Sequence, residues 1–170
     1  MALEPLLWFC LSHRTSIDEA GIALTIQRRA EETVLLFRTD SAAFREHFYA
    51  HGAPQIACDA LFFYKLGDQP PLLIFVELKG ANLGHALAQL EATIAAVKPK
   101  VERVVREATK YLALVVSDGA RPTSRKSAQR AFEATTDVRV HVLSTRRGKK
   151  AVELRDVLRA IPAMAPFVAA

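Results

Sequence analysis

From Ile56 to Gly80 the hydrophobic pattern reads as two apolar runs, IACDALFFY and LLIFVELKG, on either side of a short polar break, KLGDQPP. Two strands joined by a tight turn produce this pattern, and Gly67, Asp68, Gln69 and Pro70 supply the turn chemistry. With Asp68 at the centre, Tyr64 meets Leu72 and Asp59 falls opposite Glu77. Side chains alternate along a strand, so Asp59, Glu77 and Lys79 are expected to share one face.

The rest of the chain supplies flanking elements. Leu6 to Leu11 fits either a strand or a buried helical turn. Ser16, Asp18 and Glu19 resemble a helix start, with a capping hydroxyl and acids near the positive end of the dipole. Against that, Ile22, Leu24 and Ile26 alternate with smaller or polar residues, which favours a hairpin over 22–38 that turns at Arg28 to Thr33 and returns through Val34 to Arg38. Ser41 to Tyr49 is expected to be a helix. Leu83, Leu87, Leu90, Ile94 and Val97 recur at helical spacing, and Pro99 is expected to break or kink that helix before a second stretch running to Ala108. Tyr111 to Ser117 reads as a strand buried on both faces. A short helix over Ser127 to Ala134, a strand over Val138 to Leu143 and a helix over Ala151 to Ile161 complete the order. The tail from Pro162 to Ala170 is apolar enough to pack on the domain or on another subunit. The fold class is therefore α/β, a mixed central β-sheet flanked by helices, in one domain spanning 1–170.

Composition narrows this only a little. A chain of 170 residues with 51% hydrophobic content can bury one core. A net charge of +5, from 23 basic against 18 acidic residues, favours a polyanionic partner. Cys10 and Cys58 are too few for a disulfide framework or a cysteine zinc site, which fits a reduced, cytoplasmic chain. The apolar run Leu3 to Leu11 contains Glu4 and Pro5 and lacks a basic leader, so neither a signal peptide nor a membrane span is expected.

Two carboxylates and an ammonium on one face of a buried hairpin are costly to desolvate. A divalent cation accounts for that cost. Oxygen ligands from Asp59 and Glu77, with the carbonyl of Leu78, suit Mg2+ or Mn2+, and Lys79 could then orient a water or neutralise a developing oxyanion. The bland alternative is an ion pair between Asp59 and Lys79 at a sheet edge.

Asp59 on one strand followed by Glu77-Leu78-Lys79 on the next resembles the signature of the PD-(D/E)xK nuclease superfamily. The resemblance covers roughly Ile56 to Asp118 and departs from the family at Cys58, where proline is common. It implies a restriction-endonuclease-like fold, Asp59 and Glu77 as metal ligands, and Lys79 as the catalytic lysine. It also implies a further acid from an upstream helix, for which Glu19 and Glu46 are the candidates, and a glutamine near the site on the helix after the hairpin, a position held by Gln89. His85 shares a helix flank with Gln89, while His47 and His51 suit a solvated or capping role.

Two basic segments are candidate phosphate contacts: Arg121, Arg125 and Lys126 in one, Arg146, Arg147, Lys149 and Lys150 in the other. No zinc finger, helix-turn-helix or Gly-rich nucleotide loop is visible. The expected activity is Mg-dependent hydrolysis of phosphodiester bonds, in DNA, for repair, restriction or defence. A homodimer would be needed where both strands of a duplex are cut, and a chain of this size could also be one component of a larger assembly. The alternative is a catalytically inactive nucleic-acid-binding or protein-interaction domain of the same fold.

Overall fold

The computed structural model describes residues 11–19, 21–49, 56–79, 82–103, 108–118, 125–145 and 151–168. The 146–150 loop, Arg121, His51, Val104 and Val105 lie outside these, as do the side chains of Lys79 and Arg125.

The hairpin forms as the pattern dictates. Strand β5 (Ala60–Leu66) pairs antiparallel with β6 (Leu72–Lys79), with Tyr64 against Leu72 and Ala60 against Val76, the register that Asp68 at the turn centre requires. Gly67 makes the reversal possible by taking a positive φ of 47°. On the other side, β5 pairs with β4 (Glu32–Arg38), which in turn carries the short β1 (Leu11–Ser12). β7 (Lys110–Asp118) runs parallel to β6, and β8 (Arg139–Thr145) parallel to β7. The result is a mixed six-stranded sheet ordered β1-β4-β5-β6-β7-β8.

Alternation along these strands builds two cores, one on each face. On the first face, Phe37, Leu61, Leu73, Phe75, Ala113 and Val115 pack against α1 (Ala42–Phe48), α2 (Leu83–Glu102) and α3 (Arg125–Thr136). On the second, Leu36, Phe62, Ile74, Val76 and Leu114 pack against α4 (Leu154–Ala160) and a small sheet of β2 (Ser16–Glu19), β3 (Ile22–Thr25) and β9 (Ala151–Glu153). The chain is thus mixed α/β, with a mixed central sheet flanked by helices. No helix among the described residues is long and apolar enough to cross a membrane.

Four expectations are corrected. The strands over 22–38 exist but do not pair with each other: β3 joins β2 and β9, while β4 joins β1 and β5. Ser16 to Glu19 is therefore a strand and not a helix start, and Gly21, at φ 77°, turns it into β3. Pro99 neither ends nor splits its helix, which runs unbroken to Glu102. The proline removes one amide close to the helix end, while Val97 and Val101 on either side stay buried against the sheet. Residues 151–153, expected as helix, extend as β9 alongside β3, because strand β3 offers a free edge there.

A buried ion pair ties the two layers of the second face together. Arg155 of α4, 4% exposed, donates to Glu32 through Nε at 3.0 Å and Nη2 at 2.6 Å. Its remaining donors reach Glu153 at 3.1 Å and the carbonyl of Gln27, and Tyr64 donates to Glu32 at 2.8 Å.

Candidate active site

The segment entering β5 is pinned from several sides, and that is what positions Asp59. Gln89 Nε2 donates to the Ala57 carbonyl at 3.0 Å, and the Cys58 amide donates to Thr93 Oγ1 at 2.8 Å. Both partners project from α2, where residues four apart share a face. Thr39, just past β4, donates its hydroxyl to the Cys58 carbonyl. Thr93 completes the arrangement by donating to the Gln89 carbonyl at 2.8 Å. Thr93→Val keeps the volume but strands the buried Cys58 amide, and is expected to cost about 1–3 kcal/mol of stability in urea unfolding. A cost near zero would show that this segment is not held from α2.

Strict alternation fails at one residue. Cys58 packs in the core on the α2 face, while Ala60, two positions on, packs in the opposite core. The amide of Asp59 donates to the Val76 carbonyl at 3.0 Å, although Val76 is already the partner of Ala60. Two consecutive residues thus oppose one, which is a β-bulge, a device that re-aims a side chain. The Asp59 carboxylate accepts from the Leu78 amide at 2.6 Å. Asp59 therefore grips the backbone groups immediately before and after Glu77. The expectation that it projects from the same face as Glu77 is corrected: its carboxylate takes a place in the ladder, approaching from the strand end.

Glu77 follows Leu73 and Phe75 onto the α2 face and is 0% exposed. Burial pushes the Cys58 thiol up to about 12, and the carboxylates of Glu77 and Asp59 act on it electrostatically in the same direction. Cys58 is accordingly protonated and inert.

On the other side of Asp59 opens a cleft of about 540 Å³. Asp59, Leu78, Cys58 and Gln89 line it, together with Arg14, Asp18 and Glu19 of the β1–β2 segment and Arg38, Asp40 and Arg45 of the β4–α1 corner. Arg38 clasps Asp40 through Nε at 3.0 Å and Nη2 at 2.5 Å. That clasp, together with the nearby charge of Arg45, holds the Asp40 carboxyl below its usual range despite partial burial.

Of the predicted residues, the structure gathers Asp59, Glu77, Leu78 and Gln89 at one end of the sheet. Glu19 reaches the cleft from β2 rather than from a helix, whereas Glu46 is exposed on α1 and does not line it. His85 and His47 are exposed, in keeping with a solvated role, and Lys126 is exposed on α3. The charged residues that sequence reading missed are Arg14, Asp18, Arg38, Asp40 and Arg45. Arg38 pairs in register with Ala60, so charge at the end of β4 was a usable signal only once β4 was known to adjoin β5.

Among the described residues no three acidic, imidazole or thiol groups lie close enough to form a metal cage. No protein-family model matches the chain, and comparison with curated proteins and with solved structures gave no match.

Proposed function

We propose that this chain is a metal-dependent nuclease of restriction-endonuclease-like fold, hydrolysing phosphodiester bonds in nucleic acid, with DNA as the expected substrate. The observation that carries the reading is the bulge at Asp59. It sets the Asp59 carboxylate on the Leu78 amide, at a cleft lined by both arginines and carboxylates, with the fully buried Glu77 on the neighbouring strand. A fold gains nothing in stability from burying a carboxylate that a leucine could replace, so a functional role is the better account of Glu77. The order strand, strand, helix, strand implied by the family resemblance corresponds to β5, β6, α2 and β7.

In this reading the carboxylates of Asp59 and Glu77 and the carbonyl of Leu78 would hold Mg2+ or Mn2+, which would make bound water a better nucleophile and offset charge gathering on the phosphate. Lys79 would supply an ammonium to the same developing charge. Gln89 is recast as a positioning residue. Its carboxamide holds the Ala57 carbonyl, and so fixes the approach of Asp59 instead of orienting water directly.

The test is incubation of the purified chain with end-labelled single-stranded DNA, duplex DNA and RNA in Mg2+, Mn2+ or excess EDTA. Cleavage that requires the metal is the expected outcome. Cleavage unaffected by EDTA overturns the metal, and absence of cleavage on every substrate overturns the enzyme. Binding retained without cleavage would select the inactive nucleic-acid-binding domain.

A further inference from the structure

We infer that Thr39 and Thr93 are positioning residues for the Asp59 carboxylate: by holding the two backbone groups of Cys58 they set the aim of that acid, and with it the hold on a divalent cation. The inference rests on the nuclease reading given above and adds to it the residues that tune metal affinity.

Buried polar groups point to the place. Tyrosine aside, the polar or charged residues buried among the described ones are Glu32 and Arg155, which pair with each other, together with Glu77, Thr39 and Thr93. Burying a hydroxyl costs stability unless it is hydrogen-bonded, and an apolar residue of the same shape avoids that cost. Both threonines are 0% exposed, and both direct their hydroxyls to one residue. Thr39 donates to the Cys58 carbonyl, and Thr93 accepts from the Cys58 amide.

The register shows what these bonds replace. Arg38 pairs with Ala60, so one more step of the β4–β5 ladder would set Thr39 opposite Asp59. The ladder ends at Arg38, and the Thr39 side chain takes over from it. The Cys58 carbonyl belongs to the same peptide as the Asp59 amide; the first goes to Thr39 and the second to Val76. That peptide is held at both ends, and its plane sets the direction in which the Asp59 side chain leaves the backbone. The carbonyls before it are held as well, that of Ala57 by Gln89 at 3.0 Å and that of Ile56 by the Tyr49 hydroxyl at 2.7 Å. Three successive carbonyls thus take side-chain donors from three places, the end of α1, α2 and the residue after β4, where a regular strand would use the amides of its neighbour. The product of the arrangement is the bulge, with the Asp59 carboxylate on the Leu78 amide at 2.6 Å. Residues that orient a metal ligand without touching the metal govern affinity by about ten- to a hundredfold.

Amide hydrogen exchange followed by NMR tests the hold, and titration with Mn2+ tests its consequence, both on the whole chain. The probes are the Asp59 and Leu78 amides, with the Val115 amide in the middle of β7 as the reference for opening of the core. In Thr39→Val and Thr93→Val, exchange at both probes is expected to rise about tenfold or more relative to Val115, as loss of a buried hydrogen bond implies. The Mn2+ concentration for half-occupancy, read by electron paramagnetic resonance, should rise about ten- to a hundredfold. Thr39→Ser and Thr93→Ser keep the hydroxyl and should bring both readouts back towards wild type. The two threonines lie on separate elements, so one decides the question should the valine variant of the other fail to fold. Unchanged relative exchange in a folded valine variant overturns the proposal, as does raised exchange with wild-type Mn2+ affinity. Serine variants that behave like the valine ones overturn it too, because the hydroxyl would then not be the group that acts. A wild type that binds Mn2+ and cleaves nothing defeats the nuclease reading and leaves the threonine hold standing. Metal-dependent cleavage with unaltered Mn2+ affinity in both valine variants defeats the hold alone, and a wild type that binds no Mn2+ defeats both.

Discussion

Glu77→Gln is expected to lower metal-dependent cleavage by about a hundred- to a thousandfold, with binding of nucleic acid in EDTA kept. The substitution is nearly isosteric at a site that is 0% exposed, so it removes the charge with little change in packing. Asp59→Asn is its partner experiment. The asparagine carbonyl can still accept from the Leu78 amide, which preserves the bulge, while the loss of charge weakens any hold on a cation. Both variants should require more Mg2+ for whatever rate remains, and a circular dichroism melt close to wild type would show that the fold is intact. If either retains a wild-type rate, the two acids are not the reaction centre.

The second large effect concerns the fold. Arg155→Met is expected to cost about 3–5 kcal/mol in urea unfolding, because it leaves the Glu32 carboxylate inside the protein without its main partner. The Glu32 side chain is 0% exposed and that of Arg155 4% exposed, and they meet at 2.6 Å. Combining Arg155→Met with Glu32→Met should recover most of the loss, since an apolar pair of similar volume carries no desolvation cost. Loss of less than about 1 kcal/mol in the single variant would show that the layers are held by the apolar core alone. The pH dependence has a definite sign. Burial pushes the Glu32 carboxyl up, but the hydrogen bonds from Arg155 and Tyr64 and the charge of Arg155 outweigh it, and its pKa lies below the ordinary value. A carboxyl with a depressed pKa in the fold contributes stability above its unfolded pKa and loses it as the pH falls through the folded one. Wild type should therefore lose stability in acid from this pair, and the double methionine variant should lose less.

Much of the hairpin was legible in the chain itself. The turn residues fixed the register of β5 and β6, because one residue of slip would carry Phe62 and Ile74 off their core face. The helical spacing from Leu83 to Val97 and the double-sided apolarity of β7 were legible for the same kind of reason, a period matched to burial. Pairing of β3 and β4 was not, since alternation says that a strand is half buried and nothing about which edge it meets. For β3, the partner β9 lies more than a hundred residues downstream.

The candidate site divides along the same line. Sequence alone determined which residue types could do chemistry, Asp59, Glu77 and Lys79, because a carboxylate inside an apolar run violates the burial rule and stands out. Tertiary structure alone decided how they are presented. The bulge that turns Asp59 onto the Leu78 amide depends on Thr39, Gln89 and Thr93 holding the preceding residues, and these come from separate elements. Likewise Arg14, Arg38 and Arg45 look like ordinary surface charges along the chain. They come to line one cleft only when β1, β4 and the small sheet are assembled around β5, because local patterns record whether a residue is buried, while its neighbours are set by contacts between distant segments.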